Sequence, residues 1–305
     1  MHGNTFDAKL NPPLVELELG LLHSNDDDIR VPRGRDVFRS LRGRSTSRPV
    51  GNGDTRQDIA PRTALTLDCL PLMPTRGKFI AIEGIDGSGK RTQLDLLARA
   101  LESRGVDCAQ FSFPRYESSF GRLVAQYLNG DFGPLAAVDA HLSALLYAGD
   151  RFESKAELEA ALNAGKTVLA DRYIASNLAH QTARVGPQRR AEFLAWLRKL
   201  EYGLYGLPAE DLVIYLRLPV SEAQRLVGMK EAREYTSKQR DLQEADQKHL
   251  EQAALVYESL AMEPNWVTVN CAEGKVLMSV EKIHAAVMAA VDLRVKGLGK
   301  SGSRG

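Results

Sequence analysis

The chain is poor in cysteine and has no long apolar run. Its 305 residues include three cysteines, Cys69, Cys108 and Cys271, whose spacing matches no metal-ligand or redox motif. Buried thiols in a reducing, cytoplasmic setting are therefore expected. No apolar stretch approaches the roughly 20 residues that cross a bilayer, and no basic region followed by an apolar one begins the chain. Neither secretion nor membrane insertion is indicated.

Net charge is also small and unevenly placed. Lys and Arg total 40 against 39 Asp and Glu, so the balance of +1 gives no support to specific nucleic-acid binding. Nine Arg and three Asp between Arg30 and Arg62 leave a local excess of +6 in a Gly/Ser/Pro-rich stretch. We expect residues 1–76 to be a largely disordered basic extension, either a solvated tail or a contact for anionic partners. Alternatively, translation begins at Met73.

From Lys78 onward, apolar runs of strand length alternate with helical patterns. The runs that begin at Thr167 and Leu212 are almost continuously apolar, as in strands that are covered on both faces. The alternation predicts an α/β domain over residues 77–295, with a five-stranded parallel sheet and helices on both faces. The Gly/Ser/Lys-rich residues 296–305 are expected to be a flexible tail. The predicted strands are Phe79 to Glu83, Val106 to Ser112, Thr167 to Asp171, Leu212 to Leu218 and Trp266 to Asn270.

A glycine-rich segment separates the first predicted strand from the first predicted helix. Its glycines let backbone N–H groups converge on phosphate oxygens, and Lys90 adds a positive charge. Strand, glycine turn and helix together predict an ATP phosphate loop; an ordinary Gly-rich turn is the alternative. In the usual motif a Ser or Thr follows the Lys and binds magnesium, but here Arg91 follows it and the hydroxyl comes at Thr92. The loop residues are Gly84, Ile85, Asp86, Gly87, Ser88, Gly89, Lys90, Arg91 and Thr92.

Charged and aromatic residues follow the other predicted strands. Residues 113–116 (FPRY) follow the second strand, and Asp171-Arg172-Tyr173 end the third. Since ligands of an open parallel sheet lie beyond the carboxyl ends of its strands, these segments should face one crevice. Tyr147 and Arg151 lie four apart on a predicted helix, where a ring and a guanidinium can stack on and hydrogen-bond a flat base. Taken singly, each residue also fits a salt bridge or core packing.

The segment from 228 to 243, which we call the lid segment, is rich in charge. Such a run is usually a solvated helix face. Beside a phosphate loop, it could instead close over the nucleotide and neutralise charge on the transferring phosphoryl group. Its basic residues are Lys230, Arg233, Lys238 and Arg240.

From about Lys78 to about Leu260 the chain resembles the thymidylate kinases, which transfer a phosphoryl group from ATP to dTMP. The resemblance implies a P-loop nucleoside-monophosphate kinase fold, Mg²⁺ with ATP as donor, a homodimer and a place in dTTP synthesis. A bacterial subgroup also has GKRT in its phosphate loop, so Arg91 is compatible with ATP binding. The matching motifs are EGIDGSGKRTQ (83–93), FPRY (113–116), YAGDR (147–151), DRYIASN (171–177), LEYGLYGLPAEDLVIYL (200–216) and DLQE (241–244).

The resemblance also implies roles for individual residues. Lys90 and the loop amides would hold the ATP phosphates, and the metal would lie near Asp86, Thr92 or Asp171. Arg172 would hold the acceptor phosphate with Arg115 and Tyr116. The whole acceptor site would comprise Phe113, Arg115, Tyr116, Tyr147, Arg151, Arg172, Asn177, His180 and Gln181.

Two positions carry specific expectations. Family members without an Arg after the Asp of the loop have catalytic basic residues in the lid. Gly87 occupies that position here, so Arg233 and Arg240 are expected to join Lys90, Asp86 and Arg172 in catalysis. Related bacterial enzymes commonly have a Tyr that crowds the sugar 2′ position where this chain has His180. Imidazole is smaller and can bond a 2′-hydroxyl, so strict deoxyribose selection is not required, although His180 could simply fill the space.

Two other functions remain open from the sequence. One is a kinase for dUMP, a ribonucleotide or a deoxynucleoside, although the DRY and FPRY segments favour a monophosphate. The other is a nucleotide-gated binding module. Such a module would hydrolyse NTP without an acceptor, but this sequence has no residue that resembles a water-positioning Gln after a switch strand. Apolar residues at 123–128 and 142–146 could form the homodimer surface or belong to the core.

Overall fold

The computed structural model describes residues 75–229, 247–274 and 276–295. Nearly all of the predicted extension (1–76), including Met73, lies outside the described residues. So do most of the lid segment and the tail 296–305. The roles predicted for Arg233, Arg240, Lys230 and Lys238 therefore stay predictions. Among the described helices, none has the length and apolar character needed to cross a bilayer.

Five parallel strands form the central sheet, in the order β2-β3-β1-β4-β5. The predicted five-stranded parallel sheet is therefore confirmed. The second strand begins later than predicted because the N–H of Val106 bonds the carbonyl of Leu101 at the end of the preceding helix. The fourth ends one residue earlier, before Leu218. The strands are β1 (Phe79–Glu83), β2 (Cys108–Ser112), β3 (Thr167–Asp171), β4 (Leu212–Arg217) and β5 (Trp266–Asn270).

Helices connect the strands. A small antiparallel hairpin, β6 (Ala272–Glu273) with β7 (Val276–Leu277), follows β5 and was not predicted. A π-helical segment, Lys199–Leu204, continues the sixth helix. The helices are α1 (Lys90–Glu102), α2 (Ser119–Asn129), α3 (Ala140–Glu153), α4 (Lys155–Asn163), α5 (Ile174–Thr182), α6 (Arg190–Arg198), α7 (Val220–Val227), α8 (Gln247–Leu260) and α9 (Val280–Arg294).

The strand order determines which face each helix covers. The connection from β1 to β2 runs across the sheet in one direction, and the later connections run in the other. Since crossovers between parallel strands are right-handed, α1 lies on one face and the helices between β2 and β5 lie on the opposite face. The contacts agree, because α1 packs against α9, whereas α5 packs against α3 and α8. Helices on both faces are confirmed.

The core lies around β1, at the centre of the sheet. All five residues of β1 are buried, as expected for a strand with a neighbour on each edge and helices over both faces. A separate small cluster of Val124, Tyr127 and Leu128 packs between α2 and α3. The carboxyl ends of β1 and β3 are adjacent, with Ile82 opposite Asp171. Their loops therefore meet at one edge, where the predicted site should lie.

Candidate active site

The glycine-rich loop packs closely against β4 and α7. Gly84 and Gly87 have φ values of 147° and 88°, which L side chains rarely adopt. A Cβ at Gly84 would lie 2.7 Å from the carbonyl oxygen of Leu216, and one at Gly87 would lie 2.3 Å from that of Ala223. No side chain fits at Gly87 unless α7 moves. The glycine there is thus required by packing as well as by backbone conformation.

Lys90, the first residue of α1, lies inside this loop. Its Nζ donates to the carbonyl oxygens of Gly84 and Ile85, both at 2.9 Å. Burial and the nearby positive charge of Arg172 lower the pKa of Lys90 to about 8. The ammonium group is therefore held in the concavity formed by the loop, at the N-terminus of a helix, where anions are favoured.

Arg172 follows β3 and reaches the same loop. It has a φ of 65°, a left-handed conformation that is uncommon for a non-glycine residue. Its Nη2 pairs with the carboxylate of Asp86, and its Nη1 donates to Ser176 Oγ at 3.1 Å. The predicted residues Lys90, Asp86 and Arg172 are therefore brought together at the adjacent ends of β1 and β3.

Glu83, the last residue of β1, was not among the predicted site residues. Its buried carboxylate accepts hydrogen bonds from Tyr173 N at 2.6 Å and Ser176 Oγ at 2.7 Å. It also accepts from Tyr257 OH on α8, at 2.9 Å. Burial raises the pKa of Glu83. The carboxylate fixes the turn in which Arg172 adopts its left-handed conformation. An acidic residue at the end of an otherwise apolar strand was the available sequence signal.

The predicted metal-binding residues differ in their surroundings. Asp86 is paired with Arg172, whereas Asp171 Oδ1 is buried without a hydrogen-bond partner among the described residues. Thr92 is exposed on α1. Within the described ranges no cluster of three or more His, Cys, Asp or Glu side chains could hold a metal ion. The carboxylates of Asp86 and Asp171 are oxygen ligands of the kind that Mg²⁺ takes, and Mg²⁺ in nucleotide sites also keeps several waters and binds substrate phosphates.

Arg151 and Asn177 meet at the buried carboxylate of Glu201. Arg151 donates from Nε to Glu201 Oε2 and from Nη2 to Glu201 Oε1, both at 2.6 Å. Asn177 Nδ2 donates to Glu201 Oε1 at 2.8 Å and to the carbonyl oxygen of Ala144 at 3.0 Å. Arg151 is 2% exposed and Glu201 0%. Two predicted base-pocket residues are thus held by one carboxylate, for which no role was predicted.

The aromatic residues predicted for the base pocket lie in two clusters. Phe113 is buried in the main core, with its ring centroid 5.7 Å from that of Tyr173. Tyr147 is half-buried in the small cluster and meets Tyr127 edge to face at 6.3 Å.

Comparison with known proteins decides the family. A family model of thymidylate kinase matches residues 82–283 of this chain. The chain belongs to the thymidylate kinase family. Thymidylate kinase from Mycobacterium tuberculosis strain H37Rv is 33% identical over 197 residues, which cover 63% of this chain and 91% of the relative. A probable thymidylate kinase from Pyrococcus abyssi is 33% identical over 225 residues, covering 73% of this chain and 100% of the relative.

A solved structure of thymidylate kinase from Candida albicans has the same fold. It aligns with a TM-score of 0.57 at 22% identity, covering 72% of this chain and 92% of that chain. The expected family and the expected enzyme class, a nucleoside monophosphate kinase, are therefore confirmed.

Among the residues expected from the family, Arg115 is held by acidic neighbours. Its Nη1 donates to Glu157 at 2.9 Å and to Ser154 Oγ at 3.0 Å, and its Nε donates to Glu117 at 3.3 Å. Arg91 is likewise turned outward on α1, where it pairs with Asp95. The positive charge of each is therefore largely offset by carboxylates in this arrangement.

His180 is paired with a second histidine. Its Nδ1 lies 3.2 Å from Nε2 of His249, on α8. Burial and the neighbouring His249 hold the pKa of His180 well below its usual range, so the ring is neutral near pH 7. Its Nε2 is buried with no hydrogen-bond partner among the described residues.

Gln181 belongs to a network on the other side of α5. It accepts from Ser143 Oγ at 2.8 Å and from Arg184 Nη1 at 3.0 Å. Arg184 also donates to the carbonyl oxygen of Leu135, at 2.8 Å, and thereby ties the segment before α3 to α5. Neither Arg184 nor His249 was predicted from sequence. Arg184 lies three residues after Gln181, but its other partners Ser143 and Leu135 are 41 and 49 residues away, and His249 is 69 residues from His180.

Proposed function

We propose that this protein transfers the γ-phosphoryl group of ATP to dTMP, giving dTDP and ADP for dTTP synthesis. The observation that carries the proposal is that Lys90, inside the phosphate loop, and Arg172, after the adjacent strand, both donate to the carbonyl oxygen of Gly84, while Arg172 also pairs with Asp86. Phosphoryl transfer requires two phosphates held in line, exclusion of water and an offset for negative charge. A buried lysine in the loop after β1 and a partly buried arginine after the neighbouring β3 support that arrangement.

We propose the following roles for these residues. Loop amides and Lys90 hold the ATP phosphates, and Arg172 holds the acceptor phosphate. No general base is required, because the attacking atom is a phosphate oxygen that is anionic near neutral pH. When bound, Mg²⁺ would offset charge on the ATP phosphates, with Asp86, Asp171 and Thr92 as candidate oxygen ligands. We assign neutralisation of the transferring group to Arg233 and Arg240 of the lid segment.

The polar groups of the base pocket support a thymine-type base. Asn177 Nδ2 donates twice, which leaves Asn177 Oδ1 as an acceptor; that oxygen is buried without a partner among the described residues, and we propose that it accepts from the base. Arg151 uses Nε and Nη2 on Glu201, which leaves Nη1 as a donor. Thymine and uracil offer an N–H beside a carbonyl, matching this acceptor and donor. Cytosine offers the opposite pattern.

We propose Phe113 and Tyr147 as the aromatic walls of this pocket, and Tyr116 and Gln181 as further acceptor-site residues. His180 is proposed to lie against the sugar. Its unpartnered Nε2 supports a hydrogen bond to a sugar hydroxyl, so strict selection of deoxyribose is not required.

We further propose a homodimer formed through α2 and α3, within an enzyme of the bacterial GKRT type. Exposed apolar side chains on these helices, Leu123 and Leu142, support that surface. The free thiols of Cys108 and Cys271 support a reducing, cytoplasmic setting. The kinase domain is assigned to residues 77–295, with the lid segment inside it.

An acceptor panel tests the reaction. With Mg²⁺ and ATP, ADP release is measured with dTMP, dUMP, UMP, thymidine or no acceptor; dTMP is expected to be the best and thymidine inactive. Lys90→Ala should lower kcat/KM by about 100-fold or more, the usual cost of one preorganised charge at a reacting phosphate. Lys166→Ala, which removes an exposed lysine paired with Asp107, is the matched control and should change nothing. Equal ADP release without an acceptor would support the binding-module alternative.

A further inference from the structure

The π-helical segment Lys199–Leu204 places two consecutive side chains in buried polar contacts. π-helical turns are rare and frequently occur at functional sites. Glu201 bonds Arg151 and Asn177, and the next residue, Tyr202, donates from its hydroxyl to Glu210 Oε2 at 2.8 Å. The wider turn therefore directs Glu201 toward α3 and α5, the two helices that carry the proposed base-pocket residues.

Stability alone does not account for Glu201. A buried ion pair loses much of its Coulombic gain to desolvation, and well-packed apolar residues often replace such a pair without loss. Buried polar groups can instead fix one geometry. Here the fixed geometry is specific, because Glu201 Oε1 accepts from both Arg151 Nη2 and Asn177 Nδ2, while Oε2 accepts from Arg151 Nε.

We propose that Glu201 is the positioning residue that sets base selectivity. It does not touch the base; it holds the guanidinium plane of Arg151 and the amide of Asn177 so that Nη1 and Oδ1 face the pocket. The proposal rests on the proposed function, since it concerns how the acceptor's base is chosen. It assigns the selection of a thymine-type base over cytosine to a carboxylate on the π-helical segment.

Replacing Glu201 by Gln changes this pattern. The glutamine amide has one acceptor oxygen for three donors, so either Arg151 loses a bond or Asn177 faces an NH₂ group. Rotation of the Asn177 amide relieves that clash and presents Nδ2 to the pocket, which is a donor where thymine also has a donor. Binding of dTMP therefore weakens, and the penalty against dCMP falls.

The experiment compares kcat and KM for dTMP and dCMP in wild type, Glu201→Gln and Glu201→Asp. For Glu201→Gln we expect the KM for dTMP to rise about tenfold and the dTMP over dCMP preference to fall about tenfold, as for one lost hydrogen bond. The KM for ATP should stay unchanged. Glu201→Asp keeps the charge but retracts the carboxylate by one methylene, so the same direction is expected without an uncompensated buried cation.

Glu210→Gln is the matched control. Glu210 is also buried and bonds the adjacent Tyr202, but it contacts neither Arg151 nor Asn177, so its variant should keep the wild-type preference. Folding of each variant is checked by thermal unfolding. Retention of the wild-type preference in folded Glu201→Gln and Glu201→Asp would overturn the inference. Failure of the proposed function is distinct, because the wild-type enzyme would then not phosphorylate dTMP.

Discussion

At the scale of single residues, burial shifts the pKa values of groups around the phosphate loop. Lys90 has its pKa lowered to about 8 by burial and by Arg172. Glu83 has its pKa raised by burial, although it accepts hydrogen bonds from Ser176 and Tyr173. Burial disfavours the charged form of each group, so the shifts have opposite signs for the base and the acid. The site is therefore sensitive to pH at Lys90 in particular.

We predict that kcat/KM for ATP falls as pH rises through about 8. Above its lowered pKa, free-enzyme Lys90 is neutral and no longer attracts the ATP phosphates. Lys90→Arg stays protonated throughout, so its alkaline fall should disappear, even if its maximal activity is lower. The measurement is a pH profile of kcat/KM from about pH 6.5 to 9.5. Lys166→Arg should keep the wild-type profile; an unchanged alkaline fall in Lys90→Arg would contradict the assignment.

At the scale of elements, the phosphate loop and α7 are packed so closely that a backbone oxygen of α7 leaves no room for a side chain at Gly87. The carbonyl oxygen of Ala223 lies 2.3 Å from where a Cβ at Gly87 would be. An arginine at this loop position would likewise require α7 to shift. The absence of a basic side chain at Gly87 supports our proposal that basic residues of the lid segment neutralise the transferring group.

We predict that Gly87→Ala is more harmful than Gly105→Ala. Both glycines have positive φ, 88° and 78°, but a Cβ at Gly105 meets nothing within 4 Å. Backbone strain should lower the free energy of unfolding of each variant by about 1 kcal/mol. The clash with α7 should lower that of Gly87→Ala by about 1–3 kcal/mol more. Denaturant unfolding measures both losses. Only Gly87→Ala should also raise the KM for ATP; equal losses in the two variants would show that α7 yields freely.

At the scale of the whole molecule, the strand order brings the two phosphate sites together. Because β3 lies directly beside β1, the turn that carries Arg172 meets the loop that carries Lys90. The helices α2 and α3 pack on each other and leave Leu123 and Leu142 exposed by 37% and 59%. These side chains mark the surface proposed for the homodimer.

We predict that Leu142→Glu weakens self-association by about 10-fold or more, because a charge would be desolvated at the centre of an apolar contact. Sedimentation velocity over a range of protein concentrations is the measurement. Leu293→Glu, on α9, is the control, since Leu293 is 74% exposed but lies outside the proposed surface. A wild-type protein that sediments as a monomer at every concentration would reject the dimer, and equal dissociation by both variants would reject the surface.

The sequence by itself determined most helices and strands and the edge of the sheet at which the charged residues lie. Local patterns predicted β1, β3 and β5 to the residue, and the rule for open parallel sheets placed Lys90 and Arg172 at one edge. A spacing of four residues likewise predicted that Tyr147 and Arg151 share a helix, which is α3.

Only the tertiary structure decided their partners. Arg151 bonds Glu201, which lies 50 residues later in the chain, and Glu83 bonds Tyr257 on α8, 174 residues later. Arg115 is offset by Glu157 on α4 rather than left free. These pairings depend on which strands are neighbours, which helices share a face and how deeply each charge is buried. Those quantities are set by the packing of the whole domain, whereas the local pattern sets the elements.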